Sequence, residues 1–299
     1  MKSVVTGGAG FIGSHIVDHL LELGSEVTVV DNLSTGNLTN LNKNAHLIEQ
    51  SIETANLKKI FQDQDFIFHT AALPRIQPSF VSPEEHDIAN IQNTVKVVRA
   101  AKEESVKKII FSGSSAVYGN PINTPTSEDE PINCLNPYAL QKYTAEQYGL
   151  LLGRFWSQAF VSLRYFNPYG PRSFNEKNPD NAYSSVIGIF QNQFENNSKL
   201  TITGDGSQLR DFIYVGDLAK ANIEIAESNI DYGIYNVGFG KAISVLEVAK
   251  QISDSYEFIP ERSGEAEITL ADNSKLKNQT NWIPSLGVSD YIANWKKSL

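Results

Sequence analysis

Tyr138 and Lys142 are separated by three residues and directly follow Asn136-Pro137. Asn136 is a good helix N-cap, and Pro137 suits the first helical position because its missing N–H would have no partner there. A helix that begins here places the phenol and the ammonium side by side on one face. Such a phenol could act as a proton acceptor. The same spacing is common in ordinary amphipathic helices, so the chemistry depends on what else the fold brings to this helix.

The N-terminal stretch TGGAGFIGSH predicts a site for a nucleotide pyrophosphate. Gly7, Gly10 and Gly13 lie between a β-branched run and an amphipathic helix, where they allow a tight turn and close approach of the phosphates. The N-terminus of that helix would offer free N–H groups to the anion. Asp31 ends the next β-branched run, about 20 residues further on, as expected of the acid that binds the adenosine ribose. Because no Lys or Arg occurs between Asp31 and Lys43, NAD is favoured over NADP.

Alternating strands and helices must position these groups. The sequence predicts strands at 2–6, 26–30, 45–49, 65–69, 107–112 and 159–164, and helices at 11–23, 84–104 and 136–154. This alternation is typical of the α/β class and implies a Rossmann-type doubly wound parallel sheet with helices on both faces.

The rhythm changes after residue 166. A loop region is predicted at 167–182, followed by a helix near 183–196, strands at 199–203 and 210–215, and a helix at 216–228. We predict an NAD-binding Rossmann domain over residues 1–166. Residues 167–299 would mostly form a smaller mixed α/β substrate lobe, with some segments returning to the Rossmann sheet and a cleft between the two parts.

Composition limits the function classes. The chain has 299 residues and a net charge of −9, which argues against nucleic-acid binding. Its apolar runs are too short to cross a bilayer, and no signal peptide is predicted. A single cysteine, Cys134, fits a reducing, cytoplasmic location. His15 and His19 are interpreted as helix-surface residues, and no metal is expected.

A third group of polar residues lies where the fifth predicted strand ends. The stretch FSGSSAVYG brings Ser112, Ser114 and Ser115 to the carboxyl edge of the sheet, where open α/β folds bind ligands. Tyr138 and Lys142 begin the next helix. A strand-end serine, the Tyr-Lys pair and the glycine loop therefore belong to one site.

This combination resembles the extended short-chain dehydrogenase/reductase family and, within it, the UDP-hexose 4-epimerases that act on UDP-glucose and UDP-N-acetylglucosamine. The resemblance covers nearly the whole chain and is carried by the motifs TGGAGFIGSH, DNLSTG, HTAAL, SSAVYG, PYALQK, LRYFNPYGPR, GDGSQLRDFIYVGDLA and LADNSK. It implies NAD as the cofactor and a UDP-sugar as the substrate. It also implies a homodimer formed through the helices at 84–104 and 136–154.

The resemblance also implies residue roles. Tyr138 would be the catalytic base, Lys142 its partner and ribose ligand, and Ser114 the hydrogen-bond donor to the sugar O4. The residues implied at the cofactor are Gly7, Gly10, Phe11, Ile12, Gly13, Asp31, Asn32, Ser34, Thr35, Gly36, Ser51, Ile52, Ala71, Ala72, Asn90, Ser112, Tyr138, Lys142 and Tyr165. Those implied at the substrate are Ser114, Ser115, Tyr138, Phe166, Asn167, Val186, Thr201, Arg210, Arg262, Glu265 and Thr269.

Three positions bear on specificity or depart from the family pattern. Ser51 replaces the usual Asp that contacts adenine, and Gly188 stands where proline is common in the short members. Thr269 occupies the position where a bulky tyrosine restricts the resembling epimerases to UDP-glucose and UDP-galactose. A small threonine would admit the N-acetyl group of UDP-N-acetylglucosamine. The alternative is that Thr269 is only a strand residue far from the sugar.

The expected reaction is inversion at C4. A free tyrosine has a pKa of about 10. A nearby ammonium and the positive nicotinamide would lower the pKa of Tyr138, which could then take the 4-hydroxyl proton while hydride leaves C4. Hydride returning to the opposite face of the 4-keto sugar inverts the centre.

Two rival functions share the fold. A sugar-nucleotide 4,6-dehydratase or decarboxylase needs an acid beside the strand-five hydroxyl, and SGSSAVYG contains no Asp or Glu. A non-catalytic NAD-binding redox sensor has no use for an intact Ser-Tyr-Lys set.

Overall fold

Six parallel strands form most of the central sheet in this computed structural model, which describes residues 1–177 and 184–299. They are β1 (Lys2–Thr6), β2 (Glu26–Asp31), β3 (His46–Glu49), β4 (Phe66–His69), β5 (Lys108–Ser114) and β6 (Ala159–Tyr165). Each lies within two residues of a predicted strand. All their pairings are parallel, so the carboxyl ends of the strands meet at one edge.

Helices connect these strands across both faces of the sheet. They are α1 (Phe11–Glu22), α2 (Leu57–Phe61), α3 (Ile76–Val81), α4 (Pro83–Asp87), α5 (Asn93–Glu103) and α6 (Pro137–Trp156). The predicted helix at 84–104 is interrupted by a π-helical turn at Ile88–Gln92. The sequence did not predict α2 and α3, because five or six residues show too little periodicity to be recognised.

The longest helix, α6, begins as its capping residues predict. The Asn136 side chain accepts a hydrogen bond from the Ala139 N–H at 2.8 Å, and Pro137 occupies the first turn. On its inner face Glu146 pairs with Arg164 of β6 at 2.6 Å. Both side chains are almost fully buried, so this pair fixes the helix against the sheet from within the core.

The rest of the chain forms small sheets and helices. Its elements are β7 (Pro168–Tyr169), α7 (Val186–Glu195), β8 (Leu200–Thr203), β9 (Leu209–Asp211), β10 (Ile213–Tyr214), α8 (Val215–Glu227), β11 (Tyr232–Val237), β12 (Ala242–Ser244), α9 (Val245–Ile252), β13 (Tyr256–Ile259), β14 (Ile268–Thr269), α10 (Ser274–Gln279) and α11 (Val288–Lys297). The single strand predicted at 210–215 is two strands separated at Phe212. They differ because β9 pairs with β12 and β14 whereas β10 pairs with β7. Residues 178–183, in the predicted loop at 167–182 and at the predicted start of the helix near 183, lie outside the described residues.

One late segment returns to the central sheet. Strand β11 pairs with β6 in parallel and completes a seven-stranded sheet in the order β11-β6-β5-β4-β1-β2-β3. Helix α8, which precedes β11, packs against α1. The predicted doubly wound parallel sheet with a smaller mixed lobe is therefore confirmed.

Two apolar clusters cover the opposite faces of this sheet. One includes Ile16 and Leu20 of α1 with Leu218 of α8. The other includes Val97 of α5 and Leu150 of α6. Since each fully buried side chain of this size contributes roughly 1.5–3 kcal/mol, the two clusters hold the sheet edge rigidly under the site. A third cluster forms the core of the lobe.

Candidate active site

A cleft of about 2220 Å³ runs along the carboxyl edge of the sheet and under the smaller lobe. Nearly all the residues predicted for the cofactor and the substrate line it. They are Gly7, Gly10, Phe11, Ile12, Gly13, Asp31, Asn32, Ser34, Thr35, Gly36, Ser51, Ile52, Ala71, Ala72, Ser112, Ser114, Ser115, Tyr138, Lys142, Tyr165, Asn167, Val186, Thr201, Arg210, Arg262, Glu265 and Thr269. Such a cleft, at the strand ends of an open α/β sheet, is where ligands bind in this architecture.

The glycine loop leaves the room that a pyrophosphate needs. Gly7 has φ +72°, and a Cβ there would lie 2.7 Å from the backbone nitrogen of Ala71. A Cβ on Gly13 would overlap the Gly7 carbonyl oxygen. Helix α1 begins at Phe11 without a side-chain cap, so its first N–H groups and the positive end of its dipole face the cleft. The loop therefore fits a dinucleotide phosphate.

Asp31 lies at the end of β2 and orders the loop that follows. Its carboxylate accepts hydrogen bonds from the backbone N–H of Ala9 at 2.9 Å and of Leu33 at 2.8 Å. Burial raises the pKa of Asp31, and these two hydrogen bonds act in the opposite direction. The carboxylate is thus held at the cleft wall in the place predicted for the ribose contact.

A distant cation also reaches this loop. Lys177 Nζ donates to the carbonyl of Gly36 at 2.6 Å, and Asn175 Nδ2 donates to the carbonyl of Thr35 at 3.0 Å. The charge of Lys177 acts, with the two hydrogen bonds, against the rise that burial causes in the pKa of Asp31. Lys177 could not be recognised from residues 31–43, because a contact made across the fold leaves no local signal in the sequence.

Ser51, whose role at adenine the sequence left open, lies at the wall of the cleft. Its hydroxyl accepts from the Glu53 N–H at 3.2 Å and therefore shapes a turn. Ile52 beside it is buried. The glycine at position 188, where the family often has proline, is explained by packing. A Cβ there would lie 2.6 Å from the Ser173 hydroxyl oxygen.

Tyr138 and Lys142 lie in the first two turns of α6, as predicted. Lys142 is 4% exposed, and its ammonium lies 4.3 Å from the centroid of the Phe111 ring. Burial lowers the pKa of Lys142 to about 7, against the opposing charge of Glu146. The amine therefore titrates near neutrality rather than far above it.

Burial also affects the pKa of Tyr138, and the direction is unfavourable for a base. It raises the pKa of Tyr138, while the Ser114 hydroxyl and the Arg75 guanidinium act to lower it. The sequence predicted this lowering from Lys142. In the fold Lys142 instead stacks on Phe111 and interacts with Glu146 one turn further on.

The serines at the end of β5 face the same space. The Ser114 hydroxyl accepts from the Ala116 N–H at 3.2 Å, so its own proton can be donated to the Tyr138 hydroxyl or to a ligand. Ser112 donates to the Tyr165 hydroxyl at 3.2 Å, and that hydroxyl donates to Asn222 at 2.9 Å. Burial raises the pKa of Tyr165 to about 12, and its hydroxyl is held between Ser112 and Asn222.

The lobe contributes the far wall of the cleft. Asn167 Nδ2 donates to the Thr269 hydroxyl at 2.8 Å, so Thr269 lies beside Asn167. Arg210 pairs with Glu265 at 3.6 Å. Val186 and Thr201 also line this wall, and the Thr201 hydroxyl accepts a hydrogen bond from Gln193 Nε2 at 2.8 Å.

Two predicted residues do not reach the cleft. Asn90 is buried in the π-helical turn, where its side chain binds the N–H of Leu73 at 2.8 Å and the carbonyl of Leu73 at 3.1 Å. Asn90 therefore holds the loop after β4 and does not line the cleft, and its contact with the cofactor stays a prediction. Phe166 is also buried, with its ring 6.2 Å from that of Tyr118, because the side chain points into the core.

Arg75 was missed by the sequence reasoning. It precedes α3 with φ 94°, and its guanidinium lines the cleft near Tyr138, Arg262 and Glu265. An arginine in a stretch such as AALPRIQ shows no sign of that orientation, which depends on an unusual backbone conformation.

Within residues 1–177 and 184–299, no cluster of His, Cys, Asp and Glu could hold a metal ion. No helix in the same ranges is both long and apolar enough to span a membrane.

The doubly wound sheet, the glycine loop and the Tyr-Lys pair define a dinucleotide-binding protein of the short-chain dehydrogenase/reductase type. The chain belongs to the NAD-dependent epimerase/dehydratase family, whose model matches residues 3–238. The predicted family resemblance is therefore confirmed, and the NAD dependence of the family agrees with the predicted cofactor.

Solved structures and a curated relative agree with this assignment. The chain is 38% identical to a UDP-N-acetylglucosamine 4-epimerase from Methanobrevibacter ruminantium, with a TM-score of 0.91 over 100% of this chain and 99% of the other. It is 32% identical to the UDP-glucose 4-epimerase of Thermotoga maritima, with a TM-score of 0.92 over 100% and 99%. It is 31% identical to the UDP-glucose 4-epimerase of Lactobacillus helveticus over 100% of this chain and 98% of the relative.

Proposed function

We propose that this protein is an NAD-dependent UDP-hexose 4-epimerase, an isomerase that inverts C4 of the sugar through a transient 4-keto intermediate. One observation carries the proposal. Tyr138, Lys142 and Ser114 share a single cleft with the glycine loop and with a cluster of arginines. That arrangement combines proton transfer with sites for a dinucleotide and for a second anion.

The residues of the cleft fit NAD. The glycine loop and the start of α1 would hold the pyrophosphate, and Asp31 would bind the adenosine ribose. When bound, NAD⁺ supplies a reversible hydride acceptor. Lys142 would hold the second ribose from its buried position beneath the cleft.

Tyr138 performs the proton transfer in this proposal. It takes the proton from the 4-hydroxyl and later returns it to O4, so no proton is gained or lost. Ser114 donates a hydrogen bond to O4 throughout, and its available proton supports that role. Arg210, Arg262 and Glu265 would bind the UDP diphosphate and ribose. The sugar must turn over between the two transfers to expose its other face.

Thr269 supports a substrate that carries an N-acetyl group. It lies at the cleft wall beside Asn167, and it is small. We therefore propose interconversion of UDP-N-acetylglucosamine and UDP-N-acetylgalactosamine, of UDP-glucose and UDP-galactose, or of both pairs. Relatives named for each substrate are similarly close to this chain, at 38% and 32% identity.

The test is product analysis. Purified protein would be incubated separately with UDP-glucose and UDP-N-acetylglucosamine, and the sugars followed by proton NMR. We expect the C4 epimer of at least one substrate at equilibrium, with no NADH released. Formation of a 4-keto-6-deoxy sugar would instead establish the dehydratase alternative. Release of carbon dioxide in a third incubation, with UDP-glucuronic acid, would establish the decarboxylase alternative. The sequence disfavours both, since residues 112–119 contain no acid.

We further propose a cytoplasmic homodimer. Leu140, Tyr148, Leu151 and Phe155 form an apolar stripe along the outer face of α6 and are 45–81% exposed. A second copy packed on this stripe would cover it. Light scattering should show a dimer, and Leu151→Glu should yield monomers. The single cysteine supports the reducing compartment.

A further inference from the structure

Helix α3 ties the base to the neighbouring lobe. The Ser79 hydroxyl accepts a hydrogen bond from the Tyr138 N–H at 3.0 Å. Two residues earlier, Gln77 Nε2 donates to the carbonyl of Ser263 at 2.9 Å. The same short helix therefore contacts both the first turn of α6 and the loop that carries Arg262.

A second contact closes this network. Asn136, the N-cap of α6, donates to the carbonyl of Gly264 at 2.9 Å. Gly264 has φ +79°, and a Cβ there would lie 3.2–3.3 Å from Phe80 and Asn136. The loop at 262–265 is thus packed directly on the start of the catalytic helix. The residue that precedes α3 is therefore held at a fixed position between α6 and the loop at 262–265.

Arg75 occupies that position. Its φ of 94° lies in the left-handed region, which is costly for a residue with a side chain. The Nε atom is buried without a hydrogen-bond partner among the described residues. A guanidinium has five N–H donors, and an unsatisfied one that is buried costs free energy. Both costs are retained at the wall of the cleft, which is a sign of function.

The charged groups around Arg75 show what it faces. Tyr138 and Glu265 lie close enough to stabilise its positive charge, and Arg262 lies close enough to oppose it. Glu265 is already paired with Arg210 at 3.6 Å. Tyr138 is therefore the facing group that is not already paired with another arginine.

We propose that Arg75 is the positioning residue that stabilises the ionised form of Tyr138 during proton transfer. This inference rests on the proposed function, because it assigns a partner to the base of that reaction. Arg75 acts through Tyr138 and not on the sugar. The network through Ser79 and Gln77 fixes the distance between the guanidinium and the phenol, and the lobe helps to set it.

The two cations near Tyr138 have different surroundings. Lys142 lies over the Phe111 ring, and burial lowers its pKa to about 7 against the opposing charge of Glu146. Arg75 stays charged at any working pH, since guanidinium groups do not deprotonate in proteins. Its charge lowers the pKa of Tyr138 against the effect of burial. Removing it would raise that pKa, and the acidic limb of the pH–rate profile would move to higher pH.

Three variants test the proposal. Arg75→Met removes the charge, Arg75→Lys keeps it, and Arg262→Met is the control because Arg262 does not influence Tyr138 directly. Substrate-saturated kcat would be measured against pH. For Arg75→Met we expect the acidic limb to rise by about one pH unit, which is about a tenfold loss of kcat on that limb. In Arg75→Lys the acidic limb should move by at most half as much as in Arg75→Met, because the positive charge is kept. Arg262→Met should raise KM without moving the limb.

A second measurement is independent of turnover. Phenolate absorbance would be titrated in each protein and in its Tyr138→Phe counterpart, so that the difference reports Tyr138 alone. The same upward shift in Arg75→Met is expected, and it would stand even if the protein epimerised no sugar. If neither the phenolate titration nor the acidic limb moves in Arg75→Met, the proposal is wrong. A lower Tm in that variant would then indicate a structural role for Arg75, and a higher KM would indicate a substrate ligand.

Discussion

Removing one partner of the buried pair between Glu146 and Arg164 should destabilise the protein strongly. Arg164 Nη2 and Nε lie 2.6 Å and 3.0 Å from the two carboxylate oxygens of Glu146, and Ser162 donates to the same carboxylate at 2.8 Å. The guanidinium also lies over the face of the Tyr118 ring, at 4.8 Å from its centroid. Glu146→Gln preserves the shape but leaves the buried arginine charge without its carboxylate partner.

The expected loss follows from this geometry. Breaking one partner of a fully buried pair costs about 3–5 kcal/mol, because the other charge stays out of water. At roughly 2 °C per kcal/mol for a chain of this size, the Tm should fall by about 6–10 °C. Equilibrium unfolding in guanidinium chloride and calorimetry would measure the two quantities.

Two control variants isolate the cause. Glu103→Gln breaks the Lys58–Glu103 pair, whose 2.9 Å distance is similar but whose side chains are 63% and 38% exposed, and it should cost under about 1 kcal/mol. Combining Glu146→Leu with Arg164→Met should restore most of the stability, since both charges are removed. A loss below about 1 kcal/mol for Glu146→Gln, or no recovery in the double variant, would refute the assignment of the cost to an uncompensated charge.

Three further predictions concern the site. Tyr138→Phe should lower kcat at least about 100-fold with NAD still bound, because the ring is kept and the proton acceptor is lost; near-normal turnover would eliminate the proposed base. Asp31→Ala should weaken NAD more than NADP in calorimetric titrations, since it removes a contact for one and a repulsion for the other; an equal loss for both would contradict the discrimination. Thr269→Tyr should sharply reduce turnover of UDP-N-acetylglucosamine and spare UDP-glucose, whereas equal effects on both would remove the proposed steric gate.

Local signals were sufficient for much of the fold and part of the site. The glycine loop, the cap at Asn136 and the Tyr-Lys spacing all act within a few residues of chain, so the sequence alone indicated them. Asn90 shows the limit, because a helix pattern does not reveal that its side chain turns inward to Leu73. Arg75 and Lys177 were missed for a related reason. Both reach the site through contacts that depend on how distant segments pack. The positive φ of Arg75 is likewise not indicated by its residue type.

The late strand β11 sets an order on the folding of the protein. Phe160 pairs with Tyr232, so the edge of β6 stays open until the ribosome has added more than 70 further residues. The buried Lys108 ammonium also waits for this segment to be synthesised. Its acceptors are the carbonyls of Ile225, at 2.8 Å, and Ser228, at 2.7 Å. A nascent chain ending near residue 166 would therefore expose a hydrophobic strand edge and an unsatisfied charge. Such a fragment should aggregate, and the cleft should form only once the later segment has docked.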